Sequence, residues 1–217
     1  MNRLKSAVAV LVLFVGLFAG ATSAQAAPLN PLSQSQATSA VGVVPSSGLT
    51  TYLASLTPVA RVDFLNTKLP ATQTVVWAQS PANFVAANSA VKASVTGALL
   101  SPMAVGCWTG RADWNIKALA GNTLYTYYHV GRWCSSGSTI TSSSIADKGA
   151  QTFTVGWRYA GVPASGAGIV SNQGRSYTQH KFILGVGGWD VQTTLECGRI
   201  RGFTSGGAAA DAVCGIY

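Results

Sequence analysis

Four cysteines, Cys107, Cys134, Cys197 and Cys214, all fall from position 107 onward in a 217-residue chain whose first residues read as an export signal. Arg3 and Lys5 form a basic start, Ala7 to Ala19 an apolar run, and Ala24-Gln25-Ala26 a small-residue cleavage site after Ala26. Export places the chain where thiols oxidise, so the cysteines are expected to form two disulfides that staple whatever fold surrounds them. Sequential pairing, Cys107 with Cys134 and Cys197 with Cys214, is the leading expectation among three connectivities. The apolar run is too short for a spanning helix, which takes about 20 residues, so no membrane span is expected once the signal is removed.

The chain splits into regions of different texture. Residues 27–56 are rich in Ala, Ser, Thr, Pro and Gln with almost no charge, and read as a flexible arm. Thr57-Pro58 is an N-cap and first-turn pair opening a helix that Pro70 closes, and Leu69 to Gln73 reads as a loop. Ser80-Pro81 repeats the start signal, and Phe84, Ala87, Val91, Val95 and Ala98 recur at three- and four-residue spacing, so 57–104 is expected to be partly helical.

Residues 105–217 have β composition and hold five of the six tryptophans and six of the seven tyrosines. Between Trp108 and Ala118, Trp108, Ala112, Trp114 and Ile116 share one face and charged or polar residues the other, the pattern of a half-buried strand. Ala120-Gly121-Asn122 turns the chain into a second strand, Leu124 to Cys134, which makes the Cys107–Cys134 bridge geometrically natural. Thr139 to Ile145 is a third strand, ended by a turn at Ala146 to Gly149. Phe153, Val155, Trp157 and Tyr159 alternate with Thr152, Thr154, Gly156 and Arg158, a strand that should bury its aromatic side. Gly161 to Ser176 reads as a long loop, and Tyr177–Val186 and Val191–Cys197 as two strands across Gly187 to Asp190, with Ile200 to Phe203 as the start of another. Six or seven short antiparallel strands imply a mainly β domain, a sandwich or compact barrel with two disulfides, preceded by the partly helical region.

Function is less constrained. Without the two basic residues of the signal, twelve Lys and Arg face six acids, an excess scattered along the chain. That favours attraction to anionic surfaces such as wall polymers or lipid headgroups, and argues against nucleic acid, for which a basic run would be expected. No Gly-x-Ser-x-Gly elbow, His-Glu-x-x-His helix or phosphate loop occurs, and with no CxxC spacing and only two histidines neither a metal nor a cofactor is expected. A glycan hydrolase would have to use Glu196 or Asp190 with His129 or His180. An inhibitor or antagonistic protein would need a rigid exposed loop, for which 161–176 is the candidate.

Aromatic residues offer the alternative to catalysis. Tyr125, Tyr127, His129 and Trp133 lie in phase on the second strand, while Leu124, Tyr128 and Val130 load its other face. One face must be inside. If the Tyr125–Trp133 row were outside it would stack on sugar rings or anchor a protein; if inside, it is core. Trp189, in a Gly-Gly-Trp-Asp turn, is the second exposed candidate. The expected role is non-catalytic binding of cell-wall glycan or extracellular protein.

The runs Cys107-Trp108, Gly131-Arg132-Trp133-Cys134, Gly137-Ser138-Thr139-Ile140-Thr141 and Gly156-Trp157-Arg158-Tyr159 followed by Gly161 resemble the secreted β-rich domains of unknown function found in actinobacterial exported proteins. The resemblance covers residues 105–217. It implies an extracellular protein without an assigned activity, and carries over no functional residue.

Overall fold

Capping and alternation decide most of the local structure. In a computed structural model of the protein, residues 35–40, 44–81 and 105–217 are described, and the elements run β1 (Ser35–Ala40), α1 (Ser47–Ser55), α2 (Pro58–Lys68), β2 (Pro70–Pro81), β3 (Gly106–Ala118), β4 (Thr123–Ser136), β5 (Thr139–Thr152), β6 (Trp157–Tyr159), β7 (Ala164–Val170), β8 (Gln173–Val186), β9 (Trp189–Gly202) and β10 (Ala208–Asp211). Two antiparallel sheets result: one in the order β1-β2-β3-β4-β5, the other β10-β9-β8 with β6 and β7 sharing the far edge of β8. The fold is therefore the expected disulfide-stapled β-sandwich, with short helices on its N-terminal side. The signal segment 1–26 lies outside the described residues.

The core fills the space between the inner faces. Trp114, Trp133, Tyr125, Tyr127 and Phe182 are all essentially inaccessible to solvent. Trp114 stacks on Tyr127 at 5.1 Å and 4°, and Tyr125 on Phe182 at 4.0 Å and 18°. Burial along β3 alternates as its sequence demands, with Trp108, Ala112, Trp114 and Ile116 inside.

Both sequential disulfides form. Cys107 faces Cys134 directly across the β3–β4 ladder, and Cys197 on β9 holds Cys214 of the C-terminal segment. That segment is also clamped by Arg199, which donates to both oxygens of Asp211 at 2.9 Å and to the Tyr217 carbonyl at 2.8 Å. Replacing either pair by alanines should cost about 2–4 kcal/mol through the unfolded chain. Urea unfolding of each double variant measures it, and a loss within error for Cys197→Ala/Cys214→Ala would show that the Arg199 clamp alone holds the segment.

Several expectations are corrected. Within 27–56, read as a flexible arm, β1 pairs with β2 and α1 packs on the core, because Leu49, Tyr52, Leu53 and Leu56 form one apolar stripe at helical spacing. Helix α2 starts as expected, with the Thr57 hydroxyl accepting from Ala60 N at 3.3 Å and Pro58 in the first turn. Pro70 then opens a strand where a loop was expected, and Ser80-Pro81 ends that strand opposite Trp108. The amphipathic segment from Phe84 to Ala98 lies outside the described residues.

Ala146 to Gly149 is no turn: β5 runs through it, accommodating one extra residue where Val130 pairs Asp147 and Gly131 pairs Ile145. Gly161 to Ser176 is no long loop either. It holds β7 and the start of β8, joined by Ser171 and Asn172 at φ 51° and 55°, a tight hairpin turn. Asn172 also accepts from Ile140 N at 2.9 Å and donates to the Ser138 carbonyl at 2.8 Å, fixing the turn to β5. The rigid exposed loop an inhibitor would need is thus a paired strand. Ile200 continues β9 and starts no new strand.

Candidate functional site

The aromatic row of β4 is core. Tyr125, Tyr127, His129 and Trp133 are each at most 1% exposed, because β4 lies between β3 and β5 and turns this face toward β8 and β9. None of the four can serve as a surface platform. Their polar atoms are absorbed by an internal network. The Tyr127 hydroxyl accepts from Gln73 Nε2 at 2.7 Å and donates to the Cys197 carbonyl at 3.1 Å; the Tyr125 hydroxyl donates to Glu196 Oε1 at 2.8 Å and lies 3.1 Å from Thr194 Oγ1. His180 is held at both ring nitrogens, Nδ1 by Tyr159 and Nε2 by Thr178, each at 3.0 Å. His129 meets Ser176 Oγ at 2.8 Å through Nε2, while its buried Nδ1 finds no hydrogen-bond partner among the described residues.

Burial sets the protonation states here. Desolvation lowers both histidines to about 4, His129 further disfavoured by the nearby His180, so both rings are neutral at pH 7. Desolvation also raises the Tyr125 and Tyr127 hydroxyls and the Glu196 carboxyl above their ordinary ranges. The carboxylates proposed for hydrolysis are separated by this arrangement. Glu196 hydrogen-bonds inside the sandwich, whereas Asp190 is on the surface, gripped by Arg158 at 2.6 and 2.7 Å, which holds its carboxyl below the usual range. The two do not face a common cleft. Among the described residues, no group of three His, Cys, Asp or Glu is placed to hold a metal ion.

Trp189 is the predicted binding residue that does reach solvent, at 78% exposure. Gly187 and Gly188 adopt φ of 59° and 88°, closing the β8–β9 hairpin in a two-residue turn that side-chain-bearing residues disfavour. The turn delivers the indole to the edge of a cleft of about 440 Å³ between the hairpin and α1. Tyr52 and Val186 line the cleft with Trp189, and the hydroxyls of Ser47, Thr51 and Ser55 and the carboxylate of Asp190 supply polar groups.

No family model, curated protein or solved structure matches the chain. The chemistry of the cleft therefore follows from its own geometry. Helix α1 is pinned to β9 by its N-cap. Ser46 N donates to Gln192 Oε1 at 3.1 Å, Ser46 Oγ to the Val191 carbonyl, and Gln192 Nε2 to the Val44 carbonyl at 3.0 Å. Gly48 lets the helix approach this closely, since a Cβ there would come within 3.2 Å of the Asp190 carbonyl. Behind the cleft, Leu49 is buried and Tyr52 packs on Phe64 at 5.0 Å. The cleft is thus preformed: an exposed indole, a phenol, and a row of hydroxyls on one helix. Sequence reasoning found Trp189 and missed Tyr52, whose signal was the Leu49-Tyr52-Leu53-Leu56 stripe.

Proposed function

We propose that the protein is a non-catalytic glycan-binding module that works outside the cell, taking a sugar chain in the cleft between α1 and the β8–β9 hairpin. The observation that carries this reading is Trp189, a large indole left 78% exposed at the rim of a preformed cleft. An apolar ring face in water stacks on the C–H face of a pyranose, and the surrounding hydroxyls and carboxylate match sugar hydroxyls as donors and acceptors. Asp190 keeps acceptor capacity beyond its two bonds to Arg158, and the ion pair fixes its orientation. Two disulfides support an oxidising compartment, and no helix among the described residues is long and apolar enough to cross a membrane.

Co-sedimentation of the oxidised protein with insoluble cell-wall and polysaccharide preparations, at low and high salt, tests the reading. Binding is expected to survive high salt and to weaken on the order of tenfold or more in Trp189→Ala, as for a stacking anchor. The melting temperature should not change, because an exposed side chain contributes little to the core. Binding that Trp189→Ala leaves intact, or that salt abolishes, would overturn the proposal.

A further inference from the structure

The alternation Phe153-Val155-Trp157-Tyr159 promised a buried aromatic face, yet only its second half is delivered. Phe153 is 53% and Val155 86% exposed, because the chain turns at Thr154 to Gly156 and pairing with β8 begins only at Trp157. These two residues do not stand alone. The turn at 119–122 and the C-terminal end of α2 meet them at one end of the sandwich. Ala120 N donates to the Asn66 carbonyl at 2.8 Å; Asn122 Nδ2 donates to the Thr67 carbonyl at 3.0 Å and to Thr154 Oγ1 at 3.1 Å; Lys68 Nζ donates to the Val155 carbonyl at 3.2 Å. The same end carries Leu119, 71% exposed, and α2 adds Val62 at 58%.

We infer that this end of the sandwich docks reversibly on an anionic lipid surface, the exposed Leu119, Phe153 and Val155 entering the headgroup boundary and Lys68 and Lys117 meeting the phosphates. Two observations select that partner. The patch is apolar at its tips and positive at its flanks: Arg61 and Lys68 lie on α2 and Lys117 at the end of β3, against Asp63 as the acid of α2. A second copy of the chain would set these cations against themselves, whereas an anionic bilayer neutralises them while its acyl boundary accepts the tips. The backbone of the tips is already satisfied. Phe153 and Thr154 donate to the Leu124 carbonyl at 2.9 and 3.2 Å, Gly121 donates to the Ala118 carbonyl at 2.9 Å, and the Val155 carbonyl accepts from Lys68, so shallow insertion strands no main-chain group among these. Lysine stems lie along apolar surface with the ammonium at the polar level, as the interface requires.

Flotation of the oxidised, processed protein with phosphatidylglycerol–phosphatidylcholine vesicles and with phosphatidylcholine vesicles tests the inference, beside size-exclusion chromatography of the same samples. The protein is expected to float with the anionic vesicles alone, and Val155→Asp and Phe153→Ser each to weaken the association roughly tenfold or more by adding polarity at the inserted tips. Both should keep the wild-type melting temperature, since neither side chain is core. No flotation with either lipid, flotation indifferent to both variants, or a wild-type dimer that Val155→Asp turns into monomer would overturn it, the last in favour of a second copy as the partner.

Discussion

Gly202→Val is expected to lower the melting temperature by about 10 °C, from an overpacking cost of about 3 kcal/mol in a domain of this size. A Cβ at Gly202 would overlap the five-membered ring of the Trp133 indole, and one at Gly198 would press into the six-membered ring of Trp114. Gly174 faces the Trp133 Cβ in the same way. The two sheets therefore approach by laying tryptophans from β3 and β4 onto side-chain-free strips of β8 and β9. Trp133 has no room to yield, since its Nε1 donates to the Phe203 carbonyl at 3.1 Å and its ring stacks on Trp108. Gly207→Ala is the comparison, because a Cβ there meets its nearest atom at an ordinary 3.5 Å. Thermal unfolding of both variants by circular dichroism measures the contrast. A Gly202→Val protein melting within about 2 °C of wild type would refute the close approach, as would an equal loss in Gly207→Ala.

Acid should destabilise the fold well before ordinary carboxylates titrate. His129 and His180 titrate near 4 in the folded protein and near 6.5 when unfolded, so between these values the unfolded chain takes up protons that the native core refuses. Stability is complete above about pH 6.5 and falls as the pH drops toward 4, by about 3 kcal/mol for each histidine. Glu196 acts in the opposite sense. Its folded carboxyl is raised, so its protonation on acidification relieves a buried charge and offsets part of the loss. The groups around the rings are Tyr127, Tyr159, Thr178 and Ser176, with Lys148 adding a repulsive charge to both. Urea unfolding at pH 7, 5.5 and 4.5 is expected to show the decline, and His129→Gln to remove about half of its slope. A flat profile, or an unchanged slope in His129→Gln, would contradict the assignment.

Much of the framework follows from local sequence alone. Thr57-Pro58 started α2, the alternation from Trp108 to Ala118 gave β3 its inner face, and the hairpin after it put Cys107 opposite Cys134. Each of these rests on interactions within a few residues or across one tight turn. Trp189 was legible as a site candidate for the same reason: two glycines and a tryptophan fix a turn and its occupant locally.

Coverage of the strand faces, by contrast, depends on long-range packing. Both faces of β4 carry bulk, and nothing local says that Tyr125, Tyr127 and Trp133 lie under β8 and β9 while Tyr128 remains on the outside, stacked under Arg111 at 3.9 Å. Phe153 and Val155 alternate as well as any strand, yet among the described residues no segment covers their side chains, which stay exposed. Tyr52 became part of the cleft because α1 docks through Ser46 on Gln192, 146 residues away. Periodicity reports which residues share a face; burial depends on which distant segment lies over that face, and that is settled by the packing of the whole chain.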